Sequence, residues 1–233
     1  FTPRLVSFLE NRISHPGAAH TKYLDKTLIN TPNLALDALA MELERIGRKL
    51  RELQSNLIFN NQQKFSSQTR LETLELIKAC QGYAMTIQQY DVPSSIGSRI
   101  PIALRVCQYY RTIEESIREL HAMQALLPDS VPDNIQERID NFMDECWYEL
   151  KLAENPCAED FEDADSKLEH LTGIYHRLKE TLLQAGAENK LDISQMVQLL
   201  DYYSLVHKTM ERTLKSTRYW LDLRTREEAC PTE

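Results

Sequence analysis

The chain has 233 residues, 42% of them hydrophobic and 27% charged, with 35 acidic against 27 basic side chains, a net charge of −8 and a pI near 5.4. That apolar share is enough to fold and excludes disorder as the main state, while 6 glycines and 9 prolines leave too little turn material for an all-β or Gly-rich nucleotide-binding protein. The acidic balance argues against a generic grip on nucleic-acid phosphates or anionic lipid, which needs clustered Lys and Arg, so no nucleic acid is expected as a partner.

No uncharged apolar run reaches the roughly 18 residues that span a bilayer. The first residue is Phe1, with no charged-then-apolar leader behind it, which suggests a piece of a longer protein. Five cysteines, Cys80, Cys107, Cys146, Cys157 and Cys230, lack any CxxC spacing, the pattern of reduced cytosolic thiols rather than of a disulfide framework.

Residues 1–30 read as a lead-in, with a short amphipathic stretch (Leu5, Phe8, Leu9, Ile13) broken at His15-Pro16-Gly17. Thr31 and Pro32 then supply an N-cap hydroxyl and a first helical residue that has no N–H to satisfy. Leu36, Leu39, Leu43, Ile46, Leu50, Leu53 and Leu57 follow at alternating spacings of three and four, one apolar stripe that must meet partner helices. Five more helices are predicted over 67–90, 99–127, 132–154, 160–186 and 192–225, separated by SSQ, DVPSSIG, LPDSVP, ENPC and AGAENKLD, each a turn signal. The stripe of the third is Val106, Tyr110, Ile113, Ile117 and Leu120, and that of the fifth is Phe161, Leu168, Leu171, Tyr175, Leu178 and Leu182. The sixth opens with Asp192 and Gln195 at capping-box spacing, carries Met196, Leu200, Tyr203, Met210, Leu214 and Leu221, and should run for about 50 Å. Long helices on short loops form antiparallel bundles, so the fold class is all-α.

The pattern repeats. Arg111-Thr112-Ile113-Glu114-Glu115-Ser116-Ile117-Arg118 and Lys208-Thr209-Met210-Glu211-Arg212-Thr213-Leu214-Lys215 share chemistry at seven of eight positions at an offset of 97 residues. With three helices ending in each octamer, the chain reads as a duplicated three-helix unit: a lead-in (1–30), a first bundle (31–128), a second (129–226) and a tail (227–233).

Catalytic signatures are missing. There is no P-loop, GxSxG, HExxH or Cys/His zinc spacing, and no nucleophile, base and oxyanion donor can be named together, so the chain is not expected to be an enzyme. His207 and Glu211, at i and i+4, could share a metal, but an ordinary surface pair is the better reading. Glu114 with Arg118 and Glu211 with Lys215 have the order of solvated helix ion pairs. The acidic run Glu159, Asp160, Glu162, Asp163 and Asp165 lacks a calcium-loop glycine and sits where a helix start favours negative charge. Tyr109, Tyr110, Tyr202, Tyr203, Tyr219 and Trp220 read as packing residues at the bundle ends rather than base-stacking platforms.

Tyr23-Leu24-Asp25, Leu28, Thr31-Pro32 and Leu34-Ala35-Leu36, running into a helix with Glu42, resemble the opening of the cytosolic tail of bacterial sodium/phosphate cotransporters, a PhoU-like domain. The resemblance covers residues 20–225 and implies a tandem pair of three-helix bundles on the cytoplasmic face of the membrane. It implies that residues 1–14 continue from a membrane-associated segment, that the partner is the membrane portion of the same polypeptide, and that the domain regulates sodium-driven phosphate transport; homodimerisation would be compatible with it. The alternative is a free-standing PhoU-type adaptor that binds a transporter or sensor kinase. PhoU proteins carry acidic metal ligands in a D-L-E-R-I-G-D-type pattern. Laid on Tyr109 to Glu115 it leaves only Glu115 at a ligand position, and the second copy offers Val206, Lys208 and Arg212, so the resemblance implies lost metal clusters, with Glu115 and Glu211 as remnants and no cofactor. Glu114, Glu115, His207 and Glu211 are then candidates for partner contact. The expected mechanism is a packing switch between two arrangements of the bundles.

Overall fold

The computed structural model describes residues 20–59, 67–90, 92–154, 156, 161 and 163–224. The chain is all-α, as the apolar spacing predicts. Among the described residues the six long helices are α1 (Pro32–Ile58), α2 (Ser67–Gln88), α3 (Ile100–Gln124), α4 (Asp133–Glu154), α5 (Ala164–Ala187) and α6 (Ile193–Leu223). A 3-10 turn, Lys26–Asn30, leads into α1, and a single turn, Ser94–Gly97, precedes α3. No strand occurs among the described residues.

The helix ends follow from local chemistry, with two departures from expectation. Pro32 does open α1, but the Thr31 hydroxyl caps nothing. Thr31 instead gives its backbone N–H to the Leu28 carbonyl at 2.8 Å, closing the preceding 3-10 turn, and its carbonyl accepts from Ala35 N–H at 3.0 Å. Likewise α5 starts at Ala164, and Asp163 at its N-cap makes no side-chain capping bond. Asp192 does cap α6, accepting from the Ser194 N–H at 2.8 Å. Asn189 ends the α5 turn in the left-handed region at φ 55°, a conformation that Asn tolerates. Lys190 and Leu191 can then donate back to the Ala185 carbonyl, and Leu191 reaches the core.

In each half, every helix packs on the other two: α1, α2 and α3 form one mutual triplet, and α4, α5 and α6 form another. The most extensive pairing joins the triplets, α3 against α6, and α1 also contacts α4 and α6. One apolar core runs through both halves. All seven residues of the α1 stripe and all five of the α3 stripe are buried, which stabilises the fold by roughly 1.5–3 kcal/mol per large apolar side chain. The α5 and α6 stripes are less complete, with Leu168, Tyr175, Met196 and Leu200 only half-buried.

The two similar octamers lie in the α3–α6 seam. Ile113 and Ile117 are buried there, as are Met210 and Leu214, and the Arg212 Nη1 donates to the Ser116 Oγ at 2.6 Å. Thr209, Thr213, Ser216 and Thr217 turn their hydroxyls back to carbonyls of their own helix. The bonds that cross between triplets are few and specific. Gln54 and Thr213 bond within the core, the Trp220 indole donates to the Ala40 carbonyl at 3.0 Å, and the Arg99 Nε donates to the Leu223 carbonyl at 3.0 Å.

Candidate functional site

The four acidic and histidine candidates do not converge. Spacing pairs Glu114 with Arg118 on the surface; instead Glu114 is 2% exposed and accepts from Arg70 Nη1 on α2 at 2.7 Å. The reason is register, since Glu114 stands four residues after Tyr110 and three before Ile117, inside the apolar stripe. It ties α2 to α3. Glu115 points outward and faces Arg111 at 3.3 Å. Glu211 accepts from Lys215 at 2.5 Å, the expected i,i+4 pair.

His207 faces α5 rather than Glu211. Its ring stacks on Tyr175 with centroids 4.6 Å apart and planes at 13°, and Nε2 lies 3.0 Å from the Thr172 Oγ1. The Thr172 proton already goes to the Leu168 carbonyl at 2.7 Å, so the contact is an Nε2–H donated to the hydroxyl, leaving Nδ1 as the acceptor nitrogen. Burial pushes the His207 pKa down; Glu211 opposes this, while His176 and Lys208 add to it. The neutral ring is therefore the resident form at pH 7. Among the described residues, no three His, Cys, Asp or Glu side chains gather as a metal-ion site.

The most developed polar arrangement is a strap across the start of α1. Glu42, 0% exposed, accepts the backbone N–H groups of Lys22 and Tyr23 at 2.9 Å each through Oε2, and the Nε of Arg45 at 2.8 Å through Oε1. Arg45 reaches back to the His20 carbonyl at 3.1 Å. Just beyond, Asp25 caps the 3-10 turn through the Thr27 N–H at 2.8 Å, and the Tyr83 hydroxyl of α2 donates to the Asp25 carbonyl at 2.7 Å. A buried carboxylate with this many charge-assisted bonds fixes the backbone it holds. The sequence carries a signal for it: Glu42 lies three residues after Leu39 and four before Ile46, a charge in an apolar stripe.

Two further buried charges, Arg51 and Glu149, were not singled out by spacing within a helix. Arg51 of α1 sits against Tyr110 of α3 at the bare Cα of Gly47; separately, a cleft of about 480 Å³ opens between Arg48, Glu52, Ser55 and Asn56 of α1 and Glu154 of α4. On the other side of α4, Glu149 is 2% exposed and its Oε2 has no hydrogen-bond partner among the described residues. Burial raises the Glu149 pKa and Glu145 adds to that, against attraction from Lys167 and His170.

The aromatic residues behave as packing groups, with Tyr110, Tyr202, Tyr203 and Trp220 buried and Tyr109 stacked on Tyr219 at 5.7 Å across the α3–α6 seam. Tyr110 and Tyr203 pack mid-helix rather than at the bundle ends. Cys80, Cys107 and Cys146 are free and buried, and burial drives their pKa values up, so as thiols they are inert at neutral pH. Cys157, Cys230, Glu159, Asp160 and Glu162 lie outside the described residues. Asp165 pairs with Arg218 of α6 at 3.1 Å. No helix among the described residues is long and apolar enough to cross a membrane. No protein-family model, curated protein or solved structure matches this chain.

Proposed function

We propose that this chain is a non-catalytic regulatory module, the cytosolic domain of a sodium-dependent inorganic phosphate symporter that modulates transport. The observation that carries the reading is the Glu42 strap. It fastens residues 20–25 to α1 and α2 through Lys22, Tyr23 and Asp25, so a segment attached ahead of residue 20 would leave the domain from a rigid point. Tension or rotation of that segment would reach the helices rather than dissipate in a slack linker. Sodium and phosphate would be handled by the membrane portion, and this domain would bias it.

The test is uptake. In the full-length gene, removing residues 25–225 should change sodium-dependent phosphate uptake or its response to phosphate supply. Uptake and response both unchanged would overturn the proposal, as would a full-length gene that encodes no membrane-spanning helices.

A further inference from the structure

The cleft between α1 and α4 presents polar groups with nothing to bond. Glu52, Ser55 and Asn56 stand at i, i+3 and i+4, so they share one face of α1, and all three line the cleft together with Glu154, the last residue of α4. None of the three has a side-chain hydrogen bond or ion pair among the described residues. Ser55 is 9% exposed, and a hydroxyl buried to that degree normally has a partner.

The two charges with partners hold them weakly. Glu154 bonds Lys151 of its own helix at 2.8 Å, where the lysine side chain is 44% exposed, a solvent-screened pair that a ligand displaces at little cost. Arg48, also at the cleft, is engaged by Glu44 at 2.9 Å. The groups open to a ligand are therefore mostly acceptors: two carboxylates from facing helices, a hydroxyl and an amide carbonyl. They call for a cation with several donors. At about 480 Å³ the cleft is far larger than a bare ion and falls in the small-molecule range of roughly 300–1,000 Å³. No third His, Cys, Asp or Glu gathers with the two carboxylates as a metal ion would need. An ammonium group, with three N–H donors, matches this set.

We propose that the cleft binds a small primary amine, its ammonium held between Glu52 and Glu154, with the Ser55 hydroxyl and the Asn56 carbonyl as further acceptors. The amine comes either from an aliphatic polyamine or from a free amino acid, whose carboxylate Arg48 would take.

The backbone amides of Ser55 and Asn56 and the Asn56 side-chain NH2 report occupancy in 1H–15N spectra. Putrescine, spermidine, glycine and L-glutamine, each titrated into the millimolar range at low ionic strength, are the probes. At least one should shift these signals saturably, and Glu52→Gln and Glu154→Gln should each weaken its binding about tenfold. Both replacements keep side-chain size and lie outside the apolar core, so the fold should hold. Arg48→Gln separates the sources: it should weaken an amino acid and leave a polyamine bound as well or better. The site would be overturned by no saturable shift with any of the four probes. Equal affinity in wild type and both glutamine variants would overturn it too, as would the same shifts with tetramethylammonium, a cation that has no N–H to donate.

Discussion

Gly47 offers the sharpest test of the packing. In a helix interior, Gly→Ala normally stabilises by about 0.5–1 kcal/mol because alanine restricts the unfolded chain and has the higher helix propensity. In α1 the added Cβ would stand 2.4 Å from the Tyr110 Oη, 3.0 Å from the Arg51 Nη1 and 3.1 Å from the Tyr110 Cζ. Tyr110 is 2% exposed and wedged between α1 and α3, so it cannot swing away cheaply. Overpacking of this kind costs about 1–3 kcal/mol, so the net effect of Gly47→Ala should be a loss of about 1–2 kcal/mol, which lowers Tm by roughly 2–8 °C for a domain of this size. Tyr110→Phe removes the oxygen nearest the new methyl, and that hydroxyl makes no hydrogen bond among the described residues, so this change alone should be nearly neutral. In the Tyr110→Phe background, Gly47→Ala should recover about 1 kcal/mol of its penalty, a coupling that a double-mutant cycle by urea denaturation resolves. A Gly47→Ala protein as stable as wild type, or a penalty of equal size in both backgrounds, would refute the contact.

Glu42→Ala should leave the Lys22 and Tyr23 N–H groups without their acceptor and speed their hydrogen exchange by about 10–100-fold, with α3 amides unchanged; unaltered strap amides would remove the argument for a rigid attachment. Because burial lowers the His207 pKa below its ordinary 6.5, the unfolded chain binds the proton first. Stability should therefore fall as pH drops below about 6.5 and level off once the folded state also protonates. His207→Gln should flatten that part of the stability curve, and an unchanged slope would count against the buried ring. Glu149 has the opposite linkage: its pKa is raised above the ordinary 4.5, so its contribution is favourable below about pH 4.5 and is lost as pH rises through the folded value. Glu149→Gln should accordingly be more stable than wild type at pH 7 and indistinguishable near pH 4 in chemical denaturation; a less stable variant at pH 7 would mean that the carboxylate has a partner.

The helices were legible because their signals are local and repeated. The α1 stripe from Leu36 to Leu57 is a seven-residue statement of a single face, and every one of those side chains is buried. Asp192 likewise announces the start of α6 and makes the expected bond. Where one residue carried the signal, tertiary context could override it. Thr31 is the instance: its hydroxyl was the natural cap, but the incoming 3-10 turn set its backbone at φ −126° and ψ 85°, and the cap was not made.

The polar centre was less legible because pairing across helices depends on which faces meet, and residue spacing within one helix does not encode that. Glu114 and Arg118 have the spacing of a surface pair, yet the partner of Glu114 is Arg70, forty-four positions away. What the sequence does hold is a coarser signal, a charge inside an apolar stripe. Glu42 lies between Leu39 and Ile46, Arg51 follows Leu50, and Glu114 falls between Tyr110 and Ile117; all three are buried. Such a position forces a choice, since an ion taken out of water must be paired or remain a source of strain. Glu42 and Glu114 found partners that hold the strap and α2 in place. The Arg51 Nε has none among the described residues, and the guanidinium lies at Gly47 beside Tyr110, within the first triplet. A fold that satisfies two of its three stripe charges and leaves the Nε of the third without a partner carries its least settled interaction on α1, against the buried Tyr110 of α3.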